Sequence, residues 1–178
     1  APDFAFALNV LGLIESRENN LEAAEQAYLS AQQSPLYRNV SLSQLALIHI
    51  RQKQFNKATK AIDSLKQGLQ GSPQIDYLEG FLAFNQQHFP EAKGSFEALL
   101  GKLPSHVLGL FYSGATNAYL GNHALAKQQL TRHLSQNPNN SFAQKLLAQV
   151  ELAEGNPDEV ERLALPMLEQ YPDDLVAL

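Results

Sequence analysis

The sequence predicts an all-α solenoid of repeated helix pairs, and three observations carry that expectation. Small residues recur every 34 positions, as Gly12, Ala46, Gly80, Gly114 and Ala148. A second series, Ala24, Ala58, Ala92, Ala126 and Val160, keeps the same interval. Pro104, Pro138 and Pro172 punctuate the chain at that interval too. A fixed period in this range marks a repeat array, in which no single repeat can bury its apolar face and the core forms by stacking neighbours. Five repeats tile residues 5–38, 39–72, 73–106, 107–140 and 141–174, read as one array over 1–178. Positions are numbered 1 to 34 within each repeat.

Each repeat reads as helix A, a short turn, helix B and a longer turn. In repeat four, helix A is expected over 107–120, ended by Gly121-Asn122, because Gly is favoured just past a helix C-terminus. Helix B follows over 123–136, and Asn137-Pro138-Asn139-Asn140 breaks it. Ser141 is expected to cap the next helix. Repeat five turns at Gly155-Asn156-Pro157-Asp158 and again at Tyr171-Pro172-Asp173-Asp174. Repeat three turns at 86–90 and at Leu103-Pro104-Ser105. Repeat one turns at Asn19-Asn20 and Ser34-Pro35, and repeat two closes less regularly with Gly68, Gly71 and Ser72-Pro73.

A Gly inside a helix costs about 1 kcal/mol relative to Ala. Its recurrence at position 8 therefore implies that helix B presses close, with position 20, from Ala24 to Ala126, as the facing small residue. Position 24 carries larger partners, Tyr28, Ile62, Phe96 and Leu130, expected to fill the layer between repeats. These are core residues rather than a cofactor site.

Composition narrows the function classes. The 44% hydrophobic fraction is ample for a stacked core. A net charge of -5 with scattered basic residues argues against a nucleic-acid partner, which needs clustered Lys and Arg. The densest basic group, Lys53, Lys57, Lys60 and Lys66, reads as a solvated outer face. The lack of cysteine removes disulfides, zinc–thiolate sites and Cys nucleophiles together. No apolar run approaches the roughly 18 residues of a membrane span, so no direct membrane insertion of this segment is expected.

His49, His88, His106, His123 and His133 share no metal-ligand spacing, and no metalloprotease helix motif, nucleophile elbow or phosphate loop is present. No catalytic residue, metal or cofactor is expected, and the chain is read as a non-enzyme. Asp3, Glu22, Glu25, Asp158, Glu159 and Glu161 sit at expected helix starts, where carboxylates complement the dipole. Ala1-Pro2-Asp3 carries no basic stretch of a signal peptide, and residues 173–178 read as an interrupted helix start. The chain is thus expected to be a piece of a longer array, with any signal or anchor outside it. Exposed apolar array ends would offer a route to self-association.

Small residues at positions 8 and 20, aromatic or aliphatic residues at position 24, and Pro at position 32 in repeats three to five resemble the tetratricopeptide repeat (TPR) family over residues 5–174. Position 4 departs from the family's Trp, with Leu8, Leu42, Asp76, Leu110 and Gln144, and position 32 is Leu36 and Gln70 in the first two repeats. The resemblance implies a right-handed superhelix of about ten antiparallel helices. A narrower likeness lies in Tyr77-Leu78-Glu79-Gly80, Phe81-Leu82-Ala83-Phe84, Tyr119-Leu120-Gly121-Asn122 and Lys145-Leu146-Leu147-Ala148. These runs resemble the TPR-repeat lipoprotein of bacterial PEP-CTERM/exosortase systems. That likeness implies an exported, lipid-anchored scaffold, periplasmic or at the outer membrane, in exopolysaccharide and protein-sorting machinery. Without it, a cytoplasmic adaptor, or a regulatory module of an enzyme whose catalytic domain lies elsewhere, are the alternatives.

The TPR resemblance implies partner binding on the concave face built from helix A. Helical spacing puts positions 2, 5, 9, 12 and 13 on that side. The central repeats offer Tyr77, Phe81, Asn85, Phe111 and Tyr119, an aromatic set with polar handles that suits an extended peptide or an amphipathic helix. Arg51 and Lys145 add positive charge, and Arg17 lies 34 residues before Arg51. Packing of helix A against its neighbours is the competing reading for Phe84 and Phe111. The chaperone-tail clamp of the family resembles Lys, Asn and Asn at three defined positions. Here they read Asn9, Leu13 and Gln44, so that mode is not expected.

Overall fold

The computed structural model describes residues 2–170, with side chains from Phe4 to Leu165. The turn expected at 171–174 with Pro172, the helix start at 173–178 and the Asp3 carboxylate lie outside the described residues and side chains. The fold is all-α. Among the described residues ten helices alternate as A and B: α1 (Pro2–Arg17), α2 (Leu21–Ala31), α3 (Arg38–Arg51), α4 (Phe55–Leu69), α5 (Pro73–Asn85), α6 (Phe89–Lys102), α7 (Val107–Tyr119), α8 (His123–Gln136), α9 (Ser141–Ala153) and α10 (Pro157–Gln170). No strand occurs among the described residues. The chain divides into two compact bodies, Ala1–Gln86 with α1 to α5 and Gln87–Leu178 with α6 to α10.

Helix A ends in the same way throughout. The residue at position 15 takes a positive φ in every repeat: Asn19 (63°), Lys53 (57°), Gln87 (63°), Gly121 (74°) and Gly155 (77°). This left-handed residue lets two backbone N–H groups fold back on the last helical carbonyls. After α3, Lys53 N donates to Ile50 O (2.9 Å) and Gln54 N to His49 O (2.8 Å). After α7, Gly121 N donates to Ala118 O (3.1 Å) and Asn122 N to Asn117 O (2.8 Å).

A side-chain bridge doubles this closure. At position 16, Asn20 Nδ2 donates to Glu15 Oε2 (2.9 Å), Asn122 Nδ2 to Asn117 Oδ1 (3.1 Å) and Asn156 Nδ2 to Glu151 Oε2 (2.8 Å). Position 16 precedes helix B, yet Asn20 and Asn122 make no side-chain cap to it. Their amides turn back to helix A instead.

In the N-terminal body the core runs through Ala24, Tyr28, Leu45 and Ile48, then through Leu42, Ala46, Ile62, Leu65, Ile75 and Leu78. In the C-terminal body Leu130, Ala143 and Leu147 form the corresponding cluster between α8 and α9. The close approach at position 8 has a different partner from the one expected. A Cβ on Gly12 would lie 2.8–2.9 Å from the Tyr28 ring, and one on Gly114 would lie 2.8 Å from Leu130 Cγ. The large residue at position 24, not the small one at position 20, fills the space over the glycine.

Three further expectations change. The cap of α9 is Asn140, whose side chain accepts from Ala143 N (3.1 Å), while Ser141 is the first helical residue. Glu25 is more than a helix-start carboxylate: it pairs with Lys57 (3.2 Å) and faces the buried His49 (3.9 Å). The basic group of repeat two is therefore partly tied down, since Lys66 also pairs with Glu79 of α5.

Candidate partner-binding surface

In the N-terminal body three A helices, α1, α3 and α5, carry the expected face. Polar rungs join them: Asn9 Nδ2 donates to Ser41 Oγ (3.1 Å), and Gln74 Nε2 donates to Ser43 Oγ (2.5 Å). Two such contacts fix neighbouring A helices in register without closing the face with apolar side chains. Tyr77 and Phe81 stack one turn apart on α5, with centroids at 6.0 Å and planes 4° apart. Both are half-buried, and Tyr77 leans on the core beneath α3 and α4. Asn85 is exposed one turn later, and its Nδ2 donates to Phe81 O (2.7 Å). The structure thus brings Tyr77, Phe81 and Asn85 together on one helix. Arg51 lies at the end of α3, where it donates to Asn19 Oδ1 (3.0 Å).

In the C-terminal body α7 and α9 carry the face. Phe111 is half-buried, packed on the Leu130–Leu147 cluster, edge-on to Tyr112 (5.0 Å) and tilted on the buried His133 (5.4 Å). Tyr119 is 64% exposed and stacks flat on Phe89 (4.7 Å, 12°). Lys145 is half-buried on α9. Phe111 and Tyr119 share α7 but differ in kind, the first seated in packing and the second on the surface.

The most exposed apolar residues of the face lie elsewhere. Position 2 is 56% exposed at Phe6, 47% at Val40, 49% at Leu108 and 76% at Phe142, and only Gln74 interrupts the series. A single exposed apolar residue needs no explanation, but one repeated at a fixed structural position is a displayed row within each body. The signal was present in the sequence as an apolar series at the 34-residue interval on the expected face. Aromatic content drew attention to the central repeats instead.

Charge on this face is one-sided. Positions 2, 5, 9, 12 and 13 carry Arg17, Arg51 and Lys145 and no carboxylate in any repeat. The chain as a whole carries 18 acidic and 13 basic residues. The acids of the A helices fall at other positions, as Glu151 of α9 shows: it is buried, with Lys127 Nζ at 2.7 Å and Asn156 at 2.8 Å. Burial alone would push its carboxyl up, but the hydrogen bonds from Lys127 and Asn156 outweigh it and hold the group below its ordinary range.

Two histidines have structural roles. His106 caps α7 through Nδ1, which accepts from Gly109 N (2.9 Å), and burial lowers its pKa. His133 sits between Val107 O (2.9 Å) and Asn140 Nδ2 (2.9 Å), an arrangement that suits a ring donating from Nδ1 and accepting at Nε2. No cluster of three potential metal ligands occurs among the described residues. No helix among them is long and apolar enough to cross a membrane.

Several solved structures with the same architecture are TPR proteins. A thermophilic TPR protein of Thermus thermophilus superposes with a TM-score of 0.77 at 17% identity, over 97% of this chain and 94% of that one. The fold class is the all-α TPR solenoid. A TPR protein from Parabacteroides merdae gives a TM-score of 0.72 at 22% identity, over 98% and 70% of the two chains. YrrB, a TPR protein with an unusual peptide-binding site, gives 0.68 at 14% identity, over 93% and 86%. No protein-family model matches the sequence, and no curated protein matches it. At these identities the TPR likeness establishes the fold and leaves the ligand open.

Proposed function

We propose that the chain is a non-catalytic scaffold that holds a protein or peptide partner on the helix-A face of each body. The observation that carries this reading is the exposed apolar row at position 2 beside a face without carboxylates. Tyr77, Phe81 and Asn85 in one body, and Phe111, Tyr119 and Lys145 in the other, supply a stiff aromatic floor with polar handles. Rigid aromatic contact area suits peptide capture because little side-chain freedom is lost on binding. YrrB shows that the same fold can carry a peptide-binding site.

Selection of a displayed peptide library on the 178-residue chain, followed by calorimetry of the selected sequences, tests the reading. Phe6→Ser with Val40→Ser, or Leu108→Ser with Phe142→Ser, should weaken a selected ligand at least tenfold while helicity by circular dichroism is kept. Ligands indifferent to both variants, or a library that yields none, would refute it. The finer reading places this scaffold outside the cytoplasm, in exopolysaccharide production and PEP-CTERM protein sorting. It rests on the runs around Tyr77, Phe81, Tyr119 and Lys145. Fractionation of the native cells decides it: recovery with the envelope supports the exported scaffold, and recovery only with cytosol favours the generic adaptor.

A further inference from the structure

We propose that the helix-A face of the N-terminal body takes an acidic polypeptide segment, its apolar side chains against Phe6 and Val40 and its carboxylates toward Arg17 and Arg51. The inference rests on the scaffold reading and names the chemistry of the partner. Phe6 and Val40 occupy position 2 on α1 and α3, and Arg17 and Arg51 occupy position 13 on the same helices. Eleven residues of helix separate the two rows, or about 16 Å at 1.5 Å per residue. The face therefore has an apolar edge at the helix starts and a cationic edge at the helix ends.

Several observations favour an anionic partner over a merely solvated pair of arginines. Cations at a helix C-terminus are stabilised by the dipole, which alone could account for them. However, α5, α7 and α9 end with no basic residue in the last turn, so the fold does not require one there. Arg51 is held in place by Asn19 Oδ1 (3.0 Å), which uses one of its five N–H groups and orients the guanidinium toward the turn that follows α1. Arg17 is exposed on that same turn's approach. The carboxylates nearest to it in sequence, Glu15 and Glu18, both accept from Asn20 Nδ2 (2.9 and 3.5 Å). Both keep their charge, but neither forms an ion pair with Arg17 or Arg51, so the two guanidinium groups can still take a carboxylate from outside.

Spacing adds the register of the partner. An extended polyproline-II-like chain advances about 3.1 Å per residue and presents the same face every third residue, or about 9.3 Å. A segment lying along the helices therefore spans the roughly 16 Å between the two rows in about five residues, with an apolar side chain at the position-2 end and a carboxylate at the arginine end.

Three labelled peptides of about twelve residues, each with leucine at every third place, test this by fluorescence anisotropy on the full chain. Their intervening residues are aspartate and glutamate, asparagine and glutamine, or lysine and arginine. The acidic peptide should bind roughly tenfold tighter than the neutral one, and the gap should shrink as salt rises from about 50 to about 500 mM. Arg17→Gln with Arg51→Gln should bring the acidic peptide to the neutral peptide's level, and Phe6→Ser with Val40→Ser should weaken both. Equal binding of acidic and neutral peptides that Phe6→Ser with Val40→Ser still weakens overturns the acidic partner and leaves the scaffold reading standing. Acidic binding unaffected by the arginine variant, tighter binding of the basic peptide, or a single-stranded oligonucleotide binding as well as the acidic peptide also overturns it. If none of the peptides binds, the inference fails, and the library selection decides the scaffold reading separately.

Discussion

Gly114→Ala should destabilise the protein, although alanine is the better helix former. Position 114 lies inside α7, where the change would ordinarily stabilise by about 1 kcal/mol. Here the new Cβ would lie 2.8 Å from Leu130 Cγ, 3.0 Å from its Cδ2 and 3.3 Å from its backbone N. The backbone atom cannot rotate away, and Leu130 is fully buried with no open space for its Cγ to swing into, so α7 and α8 must separate. Overpacking of a well-packed core costs about 1–3 kcal/mol. Offset by the gain in propensity, a net loss of up to about 2 kcal/mol is expected. Gly94→Ala, also inside a helix but with nothing within 4 Å, provides the contrast and should gain about 0.5–1 kcal/mol. With a urea dependence of about 1–3 kcal/mol per M, the two variants should move the unfolding midpoint in opposite directions by readily measured amounts. Equal gains at Gly114 and Gly94 would refute the claim that position 24 seals against position 8.

Lys53→Gly should stabilise by about 0.5–1 kcal/mol, because Lys53 holds a φ of 57° that Gly121 and Gly155 adopt without a Cβ; no gain in urea melts would show that local contacts already relieve the strain. Stability should fall as pH drops below 6.5, since burial depresses both His49, which faces Glu25 and Lys57, and His106. Both are neutral in folded and unfolded chains above that pH, the unfolded chain protonates first below it, and the loss ends once pH passes the lowered folded values. His106→Asn keeps an acceptor for Gly109 N and should reduce this slope in pH-dependent thermal melts; an unchanged slope would remove His106 from the account. Glu151→Gln should lower stability near neutral pH by losing the Lys127 pair. It should also remove an acid-induced loss below about pH 4.5, since the native carboxylate contributes above its unfolded value and ceases to contribute as pH falls through the lowered one; an equally steep acid limb in the variant would contradict this.

Much of the fold was legible because packing repeats with the sequence. Helix B of repeat four runs His123–Gln136, the span its turn residues imply. The pairs at positions 8 and 24 even show their size match in the sequence: Gly12 with Tyr28, Ala46 with Ile62, Gly114 with Leu130, Ala148 with Ala164. The partner that faces position 8 was misread, since position 20 was expected there, and the other missed contacts were polar. Asn20, Asn122 and Asn156 recur at the repeat interval, but an Asn before a helix ordinarily reads as its N-cap. Only geometry shows its amide bent back to Glu15, Asn117 or Glu151. Glu25 likewise reads as a dipole partner until α4 brings Lys57 beside it. Such bonds depend on which side chain crosses to another helix, and periodicity carries no information about that.

The helix-A face was harder to rank because hydrophobicity alone does not separate its floor from its rim. Tyr77 and Phe111 share position 5, and each leans on the core of its own body. Much of their apolar area has already left water, so a partner gains little by covering the rest. Phe6, Val40, Leu108 and Phe142 at position 2 keep roughly half or more of their surface in solvent. Full burial of such a side chain contributes about 1.5–3 kcal/mol, so covering two half-exposed ones is worth about 1.5–3 kcal/mol, or more than tenfold in affinity. Binding energy should therefore come chiefly from position 2, while the stacked aromatics at positions 5 and 9 hold the surface rigid. In the N-terminal body, selectivity then falls to the cations at position 13. Repetition fixes where the face lies, and departures from repetition, such as Gln74 in the apolar row, decide what it can hold.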